Sequence, residues 1–111
     1  MRIFLSALAL AFAAVGPAYA HPEHDMYGTE NPRLMAVTSA MSVVDRLVER
    51  GAVEASWRGR EPVSANLRQR NDATEWVVTF QNDAIRNLEQ RTLYVMLTQG
   101  GVYLAANYSG E

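Results

Sequence analysis

Glu75-Trp76-Val77-Val78-Thr79-Phe80, Thr92-Leu93-Tyr94-Val95-Met96-Leu97-Thr98 and Val102-Tyr103-Leu104-Ala105-Ala106-Asn107 decide the fold. In each run the apolar residues alternate. Trp76, Val78 and Phe80 share one side of an extended chain, as do Leu93, Val95 and Leu97, and Val102, Leu104 and Ala106. That two-residue period is the mark of strands with one buried face. The β-branched and aromatic content favours strands over a helix, and Gln99-Gly100-Gly101 supplies the positive-φ residues of a tight hairpin. Upstream, Val63, Ala65 and Leu67 alternate with Ser64, Asn66 and Arg68, which predicts a shorter strand at a sheet edge, and Asn71-Asp72 turns it into the first long run.

Further upstream the period changes. Leu34, Val37, Met41, Val44 and Val48 recur at spacings of three and four, with Ala40 and Leu47 widening the stripe. Asn31-Pro32 supplies an N-cap and a first helical proline, and Gly51 a C-cap, so the pattern predicts one amphipathic helix. Trp57 follows it and is expected to close one end of the core, its indole N–H then needing a partner. Between Phe80 and Thr92 the segment is too long for a tight hairpin. One helical turn is expected there, capped by Asn82 or Asp83, with Ile85 and Leu88 tucked onto the sheet. The sum is an α+β domain over 32–111: an N-terminal helix packed on a three- to four-stranded antiparallel meander.

The start of the chain reads as a leader. Arg2 precedes the uncharged apolar run Ile3 to Val15, and Gly16-Pro17-Ala18-Tyr19-Ala20 ends in an Ala-x-Ala cleavage signature. A signal peptide over 1–20, cut after Ala20, is expected, with export to the periplasm or beyond. The apolar run is shorter than the roughly 20 residues a membrane-spanning helix needs, so no span is expected after cleavage. No cysteine occurs anywhere, so neither a lipid-bearing cysteine nor a disulfide is available and the domain stands on packing.

The chain carries 10 Lys plus Arg against 12 Asp plus Glu, every cation being arginine, for a formal net charge of −2. Such a balance argues against nucleic acid as a partner. Arg58, Arg60, Arg68 and Arg70 are expected to form a solvated face that protects the edge strand. Past Asp25 the chain has no His, Cys or Lys, which excludes hydrolytic triads from the domain. Glu75 and Asp83, the acids nearest the core strands, are expected to be solvated, and no enzyme activity is expected.

Two features point to binding. The sheet's second face would carry Val77, Tyr94, Met96 and Tyr103, with Tyr108 joining them, where a solvated face would normally be charged. This predicts a surface that is either shielded by the loop and tail or used for a periplasmic protein partner or a second copy of the chain. The other feature is the expected mature start, His21-Pro22-Glu23-His24-Asp25, opening a tail over 21–31. The α-amino group and imidazole of His21, with His24 and Asp25 nearby, form a nitrogen-rich set suited to Cu(II) or another transition metal. Pro22 has no backbone N–H and His24 stands fourth, which rules out the square-planar motif built on a third-position His.

The three strand runs, together with Ala55-Ser56-Trp57 and the His-bearing start, resemble a family of small exported bacterial proteins defined only as a domain of unknown function. Members often carry a richer histidine tail than His21 and His24. More distantly, one helix followed by a meander looks like PepSY-type domains, exported modules thought to inhibit or accompany other proteins. Those resemblances imply a non-catalytic binding or accessory role and transfer no catalytic residue.

Overall fold

The computed structural model describes residues 31–111. Helix α1 spans Pro32–Glu49, and four strands follow: β1 (Ser64–Arg70), β2 (Ala73–Gln81), β3 (Thr92–Thr98) and β4 (Tyr103–Asn107). They form one antiparallel sheet in the order β1-β2-β3-β4, so the expected meander is present with four strands. Arg33–Glu111 is one compact unit. The leader over residues 1–20 and residues 21–30 of the expected tail lie outside the described residues.

Local chemistry explains each boundary. Asn71 and Asp72 both hold positive φ, 51° and 68°, the geometry of a two-residue turn whose twist matches its strands. The helix ends in a Schellman motif, with Gly51 N–H donating to Val48 O and Ala52 N–H to Leu47 O, each at 2.9 Å. At the β3–β4 hairpin, Gly101 N–H donates to Thr98 O and Val102 N–H to Thr98 Oγ1. Gly101 has φ +96°, and a Cβ there would overlap the Met35 sulfur of α1. The hairpin therefore approaches the helix as only glycine permits.

The core lies between α1 and one face of the sheet. Trp76, Val78, Phe80, Leu93, Val95 and Leu97 are buried there as the alternation predicts, and Trp57 is completely enclosed. The helix face differs from expectation. Ala36, Ala40, Val43, Val44 and Leu47 are buried, Val37, Met41 and Val48 flank them, and Leu34 is exposed. The buried stripe is thus rotated roughly a quarter turn from the line of the largest residues. Ala36 and Ala40, four apart and without bulk, are the two helix residues buried completely.

The β2–β3 connection also differs in detail. Asn82 is fully buried, its Oδ1 accepting from Ala84 N at 2.9 Å and its Nδ2 donating to Ser56 Oγ at 3.0 Å. The single 3₁₀ turn comes later, at Leu88–Gln90, and is capped by Asn87, whose Oδ1 accepts from Glu89 N. Ile85 is tucked in, whereas Leu88 points to solvent.

Candidate contact surfaces

The face of the sheet away from α1 brings together three of the four residues expected there. Val77 pairs with Met96 across β2 and β3, and Tyr94 pairs with Thr79. Met96 is buried, and Val77 and Tyr94 are half-buried. What covers Tyr94 is the end of the chain. Gly110 is buried at φ +83° and lies so close that a Cβ would touch three carbons of the Tyr94 ring at 3.4 Å.

An ion cluster fastens this tail. Glu75 also belongs to this face and is only 6% exposed, which corrects its expected solvation. Its Oε2 accepts from Arg68 Nε at 2.9 Å, from Arg68 Nη2, and from Arg70 Nε at 3.1 Å. Arg68 Nη1 then donates to Gly110 O at 2.7 Å, and Gly110 N donates to Asn107 Oδ1 at 2.7 Å. Arg68 and Arg70 are therefore internal fasteners and not a solvated patch. Burial by itself would raise the Glu75 pKa, but the hydrogen bonds and charge of Arg68, then those of Arg70, outweigh it and hold the carboxyl below its ordinary 4.5.

Tyr103 stands elsewhere. A bulge interrupts the β3–β4 ladder between Met96 and Leu97, so Met96 pairs with Ala105 while Leu97 pairs with Tyr103. One extra residue, Leu104, reverses the alternation from there to the hairpin. Tyr103 consequently joins the helix side, in a groove of about 220 Å³ with Val43, Arg46, Leu47, Glu49 and Arg50 of α1. Leu104 falls on the opposite side, in a cleft with Arg70, Glu75, Met96, Ala105 and Glu111. The expected sidedness of Val102, Tyr103 and Leu104 is corrected by that single insertion. Tyr108 likewise packs against the core and not on the outer face, and burial, then the Glu54 charge, push its phenol above 10.0.

What sequence reasoning missed is the margin this creates. Val102, Tyr103 and Leu104 are 64, 43 and 51% exposed, three consecutive large apolar side chains at the start of β4, the last strand of the sheet among the described residues. The strand they lead into, Tyr103–Asn107, has no charge, whereas β1 at the other edge carries Arg68 and Arg70. The available signal was that lack of charge at a sheet edge, where charged residues normally deter strand addition.

His21, His24 and Asp25 lie outside the described residues, and among the described residues no group of three or more His, Cys, Asp or Glu is placed to hold a metal. No helix among those residues is long and apolar enough to cross a membrane.

A sheet with one covered face, one strapped face and one apolar margin defines a small α+β protein built around its surfaces. The chain belongs to the family of unknown function DUF6488, which matches residues 1–111. No curated protein and no solved structure matches it.

Proposed function

We propose that this chain is a non-catalytic exported module that binds another protein through the β4 margin. One observation carries the reading: Val102, Tyr103 and Leu104, consecutive in the chain, expose large apolar side chains at an uncharged strand edge that is unpaired among the described residues, Tyr103 toward the helix side and Leu104 toward the opposite one. Contact cores are enriched in tyrosine and depleted of charge, and an edge strand also offers free backbone donors and acceptors. The leader signature over residues 1–20 supports an envelope location, and the resemblance to PepSY-type modules supports an accessory role at the level of fold. The strapped face of Val77, Tyr94 and Met96 is secondary in this reading, because the tail already occupies much of it.

The bulge makes the test specific, since Tyr103 and Tyr94 sit on opposite faces. Tagged wild type is used to retrieve proteins from an envelope extract, beside a Tyr103→Ala/Leu104→Ser variant and a Tyr94→Ala variant. The double variant is expected to lose what the wild type retains, while Tyr94→Ala keeps it. The opposite pattern would transfer the contact to the strapped face and refute the margin.

A further inference from the structure

We propose that the groove between α1 and the β4 margin receives an extended, acidic segment of a partner protein, with an Asp or Glu side chain held by Arg46 and Arg50. The inference rests on the contact-surface reading above and names the chemistry of its partner.

The argument begins with where the arginines go. Arg33 Nε donates to Ala65 O and its guanidinium lies 5.8 Å from the Trp76 ring centre; Arg60 Nε donates to Ser56 O and Arg91 Nε to Ile85 O. Arg68 and Arg70 close on Glu75. Four others, Arg46, Arg50, Arg58 and Arg86, are exposed with no ion-pair partner among the described residues, and of these Arg46 and Arg50 stand four residues apart at the end of α1. Both line the same groove, together with a single acid, Glu49, so the groove carries a local charge of +1 on a chain whose formal charge is −2.

Its apolar residues are Val43, Leu47 and Tyr103. A site of about 220 Å³ with two guanidinium groups and an apolar wall suits one or two side chains of a peptide. It adjoins β4 at Tyr103, and the outer edge of β4 pairs with no other strand among the described residues. A partner segment lying along that edge in extended form would place alternate side chains on the helix side, where an apolar one covers Tyr103 and a carboxylate meets Arg46 and Arg50. Guanidinium recognises carboxylate through two parallel hydrogen bonds, which an amide of the same shape cannot reproduce.

The test uses protein purified from cells expressing the complete chain. The probes are end-capped fluorescent octapeptides alternating Val or Tyr with Asp or Glu, twins with Asn and Gln at the acidic positions, and an all-Glu octapeptide. The alternating acidic peptide is expected to bind at least about ten-fold more tightly than its amide twin. Added salt should narrow that gap, and Arg46→Gln/Arg50→Gln should abolish it. Backbone amide shifts in the wild type should centre on 102–107 and the last turns of α1, and the all-Glu peptide should bind weakly for want of apolar contact.

Equal affinity for acidic peptide and amide twin, lost in Tyr103→Ala/Leu104→Ser, would overturn the carboxylate assignment and leave the contact surface standing. Amide shifts centred on Val77 and Tyr94 would overturn both. Binding of no peptide would overturn the inference alone, the margin then being judged by retrieval. A wild-type dimer that Tyr103→Ala/Leu104→Ser converts to a monomer would make the occupant a second copy and also overturn it.

Discussion

Glu75 shows how one carboxylate can be misjudged from its neighbours in sequence. It alternates with Trp76 in a strand and so belongs to the face away from the helix, which is ordinarily wet. What dries it is the chain end returning over that face, held by Arg68 and Arg70, and no local pattern announces a contact from residue 68 to residue 110. Removing the charge with Glu75→Gln leaves two half-buried guanidinium groups side by side. The cost should be about 1–3 kcal/mol in denaturant melts, between the values for exposed and fully buried pairs. Because the folded pKa is depressed, the stabilisation is fully present above the ordinary carboxyl value of 4.5 and is lost as pH falls through the lower folded value. Wild type should therefore lose stability more steeply below that pH than Glu75→Gln; parallel curves would contradict the clamp. Asn82 is a second case. It was expected to cap a helical turn, a role that Asn87 takes, and the structure makes it a buried bridge between the Ser56 hydroxyl and the Ala84 amide. Asn82→Ala should cost about 1–2 kcal/mol, measured the same way, because it empties a fully buried position and removes both of its hydrogen bonds.

Strands were more legible than the helix face or the hairpin, for reasons of geometry. Alternation in β2 and β3 carries one bit per residue and the core needs it, so Trp76, Val78, Phe80, Leu93, Val95 and Leu97 were placed correctly. In α1 the apolar residues cover more than one face. Hydrophobicity alone favours the large ones, whereas the face that is buried centres on Ala36, Ala40, Val43 and Leu47, a choice set by what packs against it. The bulge at Leu104 was not legible, since Val102 to Ala106 alternates well enough for either register and one inserted residue moves Tyr103 across the sheet. Two elements yield tests. Gly101→Ala must hold φ near +96° and displace Met35, so a loss of about 2 kcal/mol or more is expected in thermal unfolding. Deleting Ser109–Glu111 removes the strap over the outer face and leaves Tyr108 against the core. Peroxide should then oxidise Met96 several-fold faster, while Met35 and Met41 change little, as read by peptide mass spectrometry.

For the molecule as a whole, composition and periodicity were enough to predict an α+β meander of one helix and up to four strands, and the structure has that architecture. The candidate surface was only half legible. Tyr94, Met96 and Val77 do share a face, but that face is strapped by the tail, and the open apolar surface lies at the margin instead. Both discrepancies arise from long-range features, a returning chain end and a shifted register. In the proposed role the two faces of the sheet differ in purpose: one fills the core, the other anchors the terminus, and contact falls to the edge between them. Amide hydrogen exchange of the chain, alone and with its retrieved partner, tests that division most directly. The account predicts slowed exchange concentrated in residues 102–107 with Val77 and Tyr94 unchanged; slowing confined to Val77 and Tyr94, or absent from 102–107, would contradict it.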